Sequence, residues 1–221
     1  MLDLIVRSPH RDAELAADHA VHVIGLTAGA AGAFAIVARA AVSANLLSVF
    51  AVAIYALALL AMLGASAAHN CGPTGAGKEI RRRLDHAAIF VMIAGTYTPF
   101  TMSRLSGGLA IGVTAGVWTV ALGGAVIKLR YPCRFERLSI VVYLVLGWQG
   151  LVLLPSLFAS LPEPATALIV IGGVLYSAGA AFHIWTTLPF QTAIWHGFVL
   201  VAAGCHYAAV WQAVVLAGAA P

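Results

Sequence analysis

Residues 45–68 read NLLSVFAVAIYALALLAMLGASAA, and no charged side chain occurs anywhere in this stretch. A helix needs about 20 apolar residues to cross the hydrocarbon core of a bilayer, which is roughly 30 Å thick. The stretch therefore predicts a membrane-spanning helix. Strands of a transmembrane barrel alternate apolar and polar residues over only about 10 positions. A continuous apolar run of this length favours a helix instead.

The composition of the whole chain agrees with this stretch. Of the 221 residues, 62% are hydrophobic and only 9% are charged. A typical soluble domain carries about 25% charged residues, and a soluble chain of this size has too much surface to hide so much apolar area. An ordinary soluble enzyme, a disordered chain and a secreted disulfide scaffold are therefore excluded. The three cysteines are widely spaced, which argues against a cysteine zinc site.

The same length criterion predicts seven spans, which are separated by breaks rich in glycine and proline. The spans cover residues 20–40, 45–68, 86–103, 108–128, 138–159, 166–186 and 193–217. The predicted fold is therefore all-α, a seven-transmembrane-helix bundle over residues 20–217. A polar N-terminal arm at 1–19, which is either a short arm or an interfacial helix, precedes it and a short C-terminal tail at 218–221 follows. In the fourth span, Gly112 and Gly116 form a GxxxG pattern that predicts close helix packing, unless these glycines only fill an apolar helix.

The positive charges predict how the bundle is oriented. Ten of the twelve Lys and Arg residues fall on the side of the N-terminal arm, and only Arg39 and Arg104 fall on the other side. The positive-inside rule then places the N-terminus in the cytoplasm and the C-terminus outside. We therefore expect a multi-pass membrane protein with membrane lipids as its partners. The sequence carries no nucleic-acid-binding signature, and its loop arginines suit an anionic inner leaflet.

Polar side chains cluster at the predicted cytoplasmic ends of several spans. They are Ser66, His69, Asn70, Asp85, His86, His183, Thr192 and His196. Because polar groups inside a bilayer are costly, this convergence predicts a shared pocket at the inner mouth of the bundle. Imidazole and carboxylate groups are good zinc ligands, and a bound zinc ion can activate a water molecule. In the alternative interpretation, Asp85 only pairs with the neighbouring arginines at a helix start.

Two segments carry a resemblance to a known family. The segment Leu84–Phe100, LDHAAIFVMIAGTYTPF, resembles the third-helix signature of the hemolysin III family almost residue for residue. The basic run before it and the segment Ala193–Val210, AIWHGFVLVAAGCHYAAV, are also similar to that family. The resemblance covers essentially the whole chain from residue 18 onward. These proteins are bacterial relatives of the progestin and adipoQ receptors, in a wider group that includes the alkaline ceramidases.

The resemblance implies a seven-helix bundle with zinc near its cytoplasmic side. The family's ligands come from an SxxxH motif in the second helix and an HxxxH pair in the seventh, and a third-helix aspartate holds the water. By this pattern Asp85 is the aspartate and His196 is the second histidine of the pair, whereas Thr192 stands at the first. The resemblance therefore implies His196, His69 and Asp85 as the metal ligands, with Asp85 and Ser66 as the catalytic residues.

The second-helix motif departs from the family pattern in one of two registers. With Ser66 as the serine, the histidine position holds Asn70. With His69 as the histidine, the serine position holds Ala65. Either the neighbouring histidines compensate and zinc binds, or the pocket is a hydrogen-bonded remnant of Asn70, Asp85, Thr192 and His196.

Three functions follow as expectations. The first is a hemolysin III-like inner-membrane protein with a possible zinc pocket and a structural or regulatory role in membrane homeostasis, its cytolytic label being inherited from the family. The alternative is a zinc-dependent, ceramidase-like hydrolase of lipid amide bonds. A transporter is disfavoured because no chain of acidic residues runs through the spans. A retinal protein is excluded because both lysines, Lys78 and Lys128, lie near loops.

Overall fold

The computed structural model describes residues 11–43, 45–131, 136–153 and 155–216, which are entirely helical or in short connections. The helices are α1 (Arg11–Ser43), α2 (Leu46–Asn70), α3 (Lys78–Arg104), α4 (Gly107–Arg130), α5 (Glu136–Leu153), α6 (Pro155–Ala159), α7 (Glu163–Ile184) and α8 (Gln191–Val210). A π-helical segment, Trp211–Leu216, continues α8. The all-α prediction is confirmed for these residues. The predicted tail at 218–221 and the first ten residues of the predicted arm lie outside them.

Five helical segments in the described ranges are long and apolar enough to cross a membrane. They are α1, α2, α4, α7, and α8 together with its π-helical continuation. The third predicted span lies in α3, a helix of 27 residues. The fifth predicted span covers α5 and α6. The crossing of the membrane by all seven spans stays a prediction.

Helix α1 begins earlier than the first predicted span. Residues 11–19, which the sequence placed in a polar arm, continue into the span as one helix of 33 residues. Asp12 and Glu14 lie in its first turn, where carboxylates interact favourably with the helix dipole. This extension matters because it places Asp18 and His22 on a helix that packs inside the bundle, where both side chains are buried.

The bundle is held together by two apolar clusters. The larger one contains the fully buried side chains of Ile36, Val52 and Tyr55, together with Val210 from α8. The smaller one joins α3 to α4 and α5 around Phe90. The two cavities described below lie between these helices.

Close packing occurs at other glycines than the GxxxG pattern predicts. A Cβ atom added at Gly112 or Gly116 would meet nothing within 4 Å, so the predicted tight contact at this motif is wrong. These two glycines lie on a face of α4 that packs against no other described helix. By contrast, a Cβ atom at Gly124 would overlap the ring of Phe90 in α3. The close approach of α3 to α4 therefore depends on Gly124.

Candidate functional site: a polar cavity at one end of the bundle

A cavity of about 420 Å³ opens at the end of the bundle that the charge pattern assigns to the cytoplasm. Its lining comes from α1, α2, α3, α4, α5, α7 and α8. The ionisable, hydroxyl and amide side chains of the lining include His22, Ser66, His69, Asn70, Arg82, Asp85, His86, Lys128, Ser139, His183, Gln191, Thr192 and His196. The polar residues that the sequence places at the ends of the second, third, sixth and seventh spans therefore line one cavity.

A short hydrogen bond joins α1 to α8 beside this cavity. Nδ1 of His196 lies 2.6 Å from Oδ1 of Asp18, and the Asp18 residue is only 5% exposed. Because an ionised carboxylate only accepts hydrogen bonds, the hydrogen belongs to Nδ1 of His196. In a neutral imidazole, Nε2 of His196 then carries a lone pair that can bind a cation.

The neighbouring His22 is oriented in the same way. Its Nδ1 donates to the backbone carbonyl of Asp18 at 2.8 Å. A carbonyl oxygen can only accept, so Nε2 of a neutral His22 also carries a lone pair. That Nε2 lies 3.2 Å from Oγ of Ser66. The rings of His22 and His196 meet edge to face, with centroids 4.4 Å apart.

Asp18, His22 and His196 form a group that fits a metal ion. One potential ligand atom from each residue lies within 4.8 Å of the other two. Histidine and carboxylate ligands are the set that zinc accepts readily. Histidines that bind metals usually donate their second ring N–H to a carboxylate or a backbone carbonyl, which fixes the ring orientation. Both imidazoles of this group are held by such a bond.

Ser66 and Asp85, the predicted catalytic residues, lie next to this group. The Ser66 hydroxyl lies between Nε2 of His22 and the carboxyl group of Asp85. Asp85 immediately precedes the third predicted span. Burial raises the pKa of its carboxyl to about 6, while nearby His196 and the hydrogen bond with Ser66 act in the opposite direction. Asn70 supports Ser66, because its amide donates to the Ser66 carbonyl at 3.0 Å.

His69, the third predicted ligand, also lies on the cavity wall. Its Nδ1 atom is buried and has no hydrogen-bond partner among the described residues. A buried polar atom without a partner costs about 1–3 kcal/mol. Binding a ligand in the cavity would therefore offset the cost of burying this atom without a partner.

The other polar residues singled out in the sequence differ in their placement. The hydroxyl of Thr192 donates to Oε1 of Gln191 at 3.4 Å. The ring of His183 packs 5.1 Å from that of Trp195. His206 lies apart from the polar cavity, and its Nε2 donates to the carbonyl of Ile169 in α7 at 3.2 Å. His206 thus makes a hydrogen bond between α8 and α7.

Asp18 and His22 are the site residues that sequence reasoning missed. Asp18 lies in the predicted polar arm, and His22 lies within the first predicted span. The signal was their spacing, because residues four apart lie on the same face of a helix. A carboxylate and an imidazole on one face at the start of a membrane helix need a partner, since burying them unpaired is costly.

A second cavity of about 150 Å³ adjoins the polar one. Its walls are almost wholly apolar or aromatic, and His206 lies at its edge. Both cavities are lined by Met62, Ile89, Tyr143, Leu144 and Tyr176. The two cavities therefore lie side by side between the helices and have these residues in common.

Comparison with known proteins identifies a family model and relatives that agree with one another. The model of the family described as haemolysin-III related matches residues 17–207. A hemolysin-3 homolog of Bacillus subtilis (strain 168) is 48% identical over 123 residues, which cover 56% of this chain and 58% of that protein. Hemolysin-3 of Bacillus cereus is 44% identical over 117 residues, 53% of each chain. The human monocyte to macrophage differentiation factor is 30% identical over 131 residues, 58% of this chain and 53% of that protein.

The matched stretches thus span only a little more than half the length of these curated relatives. No solved structure matches the chain.

Proposed function

Because the chain belongs to the haemolysin-III related family, we propose that it is a multi-pass inner-membrane protein whose polar cavity holds a zinc ion. We assign it a structural or regulatory role in membrane homeostasis, with the cavity as its sensing or organising site. The observation that carries this proposal is the group of Asp18, His22 and His196, whose potential ligand atoms lie within 4.8 Å of one another. The lytic activity in the names of its relatives is not part of the proposal.

The residues present fit zinc, although Thr192 stands where the family pattern has a histidine. His22 supplies an imidazole from α1 that the pattern does not include, and it lies against His196. His69 also lines this cavity. Its buried Nδ1 atom has no hydrogen-bond partner among the described residues, so this atom can bind a ligand. We propose that His22 and His196 hold the ion through their Nε2 atoms, with His69 as the additional imidazole and Asp18 orienting the first two rings. Zinc sites favour four such ligands in a tetrahedral arrangement.

The chemistry that a bound zinc ion supplies is a Lewis acid, which lowers the pKa of a coordinated water molecule. The chain's own residues then decide whether that chemistry is used. Asp85 offers a carboxyl group that can hold a proton, and Ser66 orients it through a hydrogen bond. Asp18 holds His196 in one tautomer, which prevents the ring from turning its N–H towards the ligand position.

The test is the metal content of the full chain purified in detergent, measured by elemental analysis. We expect about one zinc ion per chain for the unaltered protein, since a site of this kind is filled by one ion. The substitution His22→Gln removes the imidazole and should abolish the bound zinc. His19→Gln is the matched control, because His19 lies three residues earlier on the exposed face of α1. Background zinc in the unaltered protein, or equal zinc in both variants, would overturn the proposal.

A second function is favoured by one specific observation, the apolar cavity that adjoins the polar one. An acyl chain in the apolar cavity would place its polar group near Ser66 and Asp85. This arrangement suits a zinc-dependent hydrolase of lipid amide bonds, in which the carboxyl group of Asp85 transfers the proton. The test is turnover of a ceramide by the zinc-loaded protein. Turnover that is lost in Asp85→Ala would support the hydrolase, and turnover that survives it would refute this role.

The orientation in the membrane forms part of the proposal and rests on the distribution of positive charge. Cys71 provides a test, because it is exposed in the connection between α2 and α3 at the end of the bundle that holds the polar cavity. A variant that keeps Cys71 as its single cysteine should resist a membrane-impermeant maleimide in intact spheroplasts. It should react fully after the membrane is opened. Equal labelling before and after opening would reverse the proposed orientation.

A further inference from the structure

The apolar cavity contains few groups that can form hydrogen bonds. Among its described lining residues, six side chains carry an N–H or O–H group. Four of these make hydrogen bonds within the protein, to the carbonyl of Met92, the backbone of α5, the carbonyl of His86 and the hydroxyl of Ser177. They are, in the same order, Thr96, Tyr97, Tyr143 and Trp148. The other two are Tyr176 of α7 and His206 of α8.

His206 has one ring nitrogen that is free to accept a hydrogen bond. Its Nε2 donates to the carbonyl of Ile169, so Nδ1 of the neutral ring carries a lone pair. Gly172 allows this arrangement, because a Cβ atom there would overlap Cδ2 and Nε2 of the ring. That edge of the imidazole therefore lies against α7, and Nδ1 lies on the other side of the ring. No described residue donates a hydrogen bond to Nδ1.

The hydroxyl of Tyr176 also has no hydrogen-bond partner in the described ranges of the chain. The rings of Tyr176 and His206 are neighbours, with centroids 5.5 Å apart, and both residues line the apolar cavity. The hydrocarbon core of a bilayer supplies no water to such groups, so leaving them unpaired is costly. One donor and one acceptor are therefore available to a molecule in this cavity.

The walls of the cavity define the rest of that molecule. It is uncharged, because nothing in an apolar cavity compensates the burial of a charge. Its body is aromatic, since side chains such as Phe100, Trp148 and Phe158 line the cavity and aromatic rings pack well against one another. The volume is about 150 Å³, and an engineered apolar cavity of about that size binds benzene. The space therefore suits a single ring.

We infer that Tyr176 and His206 form a binding site for a small, uncharged aromatic alcohol of about the size of phenol. A hydroxyl group fits both polar positions, because it donates one hydrogen bond and accepts others. In this site it donates to Nδ1 of His206 and accepts from the hydroxyl of Tyr176. The inference goes beyond the proposed function, since the site uses neither the zinc ligands nor the polar cavity.

The test compares two probes that differ by one hydroxyl group in place of a methyl group. Para-fluorophenol and para-fluorotoluene are titrated into the full chain in detergent, and fluorine NMR measures the bound fraction. Protein-free micelles give the partition of each probe into detergent. After correction for that partition, we expect saturable binding of para-fluorophenol that is about tenfold or more tighter than that of para-fluorotoluene. Equal affinities, or no saturable binding of para-fluorophenol, overturn the inference.

Variants assign the preference for the hydroxyl group to the two residues. His206→Phe keeps a ring and removes the accepting nitrogen, so the preference should disappear. Tyr176→Phe removes only the hydroxyl and should reduce the preference severalfold. Tyr207→Phe is the matched control, because the Tyr207 hydroxyl donates to the carbonyl of Gly32 and should leave the preference unchanged. A preference that survives both substitutions, or that falls equally with Tyr207→Phe, overturns the assignment.

Removal of metal separates this site from the proposed zinc site, because a phenol also binds metal ions. Binding of para-fluorophenol should be the same before and after treatment with a chelator, with the zinc content measured on the same samples. Loss of binding after chelation would place the probe at the metal ion and overturn the inference. Where His206→Phe does not fold, Tyr176→Phe and the comparison of the two probes in the unaltered protein remain decisive.

Discussion

Asp18 of α1 and His196 of α8 are joined by a 2.6 Å hydrogen bond, although 178 residues separate them in the sequence. The bond closes the bundle by connecting its first and last long helices beside the polar cavity. It also fixes the tautomer of His196, so that Nε2 is the nitrogen available to a ligand. The same residue, Asp18, accepts from His22 through its backbone carbonyl. One aspartate thus orients both imidazoles of the candidate metal site.

The first prediction concerns the charge of Asp18. Asp18→Asn keeps an oxygen that can accept from His196 but removes the negative charge from the site. We expect zinc affinity to fall about 10- to 100-fold, the range found when the partners of metal ligands are altered. The measurement is competition for zinc against a chromophoric chelator. Asp12→Asn, an exposed carboxylate on the same helix, should leave the affinity unchanged, and equal effects of the two variants would contradict the prediction.

The second prediction concerns how α1 is held against α8. The carboxylate of Glu14 accepts a hydrogen bond of 3.3 Å from the backbone N–H of Phe190, a residue with the left-handed backbone angle φ of 57°. Glu14 precedes Asp18 by four residues and lies on the same face of α1. This contact therefore positions Asp18 against His196 without touching the ligand position.

Glu14→Ala should lower stability by about 1 kcal/mol, the usual contribution of one hydrogen bond, and should weaken zinc binding severalfold. Glu14→Gln keeps the accepting oxygen and should restore both properties. Thermal unfolding and the chelator competition measure the two effects separately. A loss of zinc affinity that Glu14→Gln shares fully would show that the charge of Glu14, and not its hydrogen bond, matters.

The fold was predictable in outline because apolar run length is a direct consequence of bilayer thickness. The break after α2, at Cys71 to Gly75, and the start of α7 at Glu163 follow the glycine and proline signals. The sequence allows a helix over the polar residues before the first span, but hydropathy alone does not show that this helix and the span are continuous from Arg11 to Ser43.

The site was predictable only in part, because side chains from different helices meet there. His196, Asp85 and Ser66 were found from their place at helix ends and from the family resemblance. The contribution of α1 depends on which face of that helix turns inward, and hydropathy does not determine this where both faces are apolar. Lys128 illustrates the same limit, since the sequence places it near a loop whereas the structure buries it.

The third prediction contrasts the half-buried Tyr97 with the fully buried Tyr55. The Tyr97 hydroxyl lies 3.0 Å from the carbonyl oxygens of Leu146 and Gly147, and it accepts from the N–H of Gly150 at 2.9 Å. Tyr97→Phe leaves these backbone groups of α5 without that partner in an apolar region. We expect a loss of about 1–3 kcal/mol in the free energy of unfolding, measured by denaturation in mixed micelles.

Tyr55 is the matched control for this prediction. It is fully buried, and its hydroxyl has no hydrogen-bond partner within the described part of the chain. Tyr55→Phe removes a buried polar group that lacks a partner, so stability should stay the same or rise. A larger loss in Tyr55→Phe than in Tyr97→Phe would contradict the hydrogen bonding described for both residues.

The fourth prediction uses two adjacent glycines of α4. A Cβ atom at Gly124 would overlap the ring of Phe90, whereas a Cβ atom at Gly123 would meet nothing within 4 Å. Phe90 is 3% exposed and belongs to the cluster that joins α3 to α4, so its ring has little room to move. Gly124→Ala should therefore separate the two helices and lower stability by about 1–3 kcal/mol, the usual cost of overpacking a core.

Gly123→Ala makes the same substitution one residue away. It should be neutral or stabilising by up to about 1 kcal/mol, because alanine has a higher helix propensity than glycine. Thermal unfolding of both variants in one detergent gives the comparison.

The second effect of Gly124→Ala should appear in the cavity, because α3 carries Asp85 and α4 carries Lys128 on its walls. Zinc binding should thus weaken in Gly124→Ala but not in Gly123→Ala. Equal stability of the two variants would mean that α3 and α4 do not approach each other at Phe90 and Gly124.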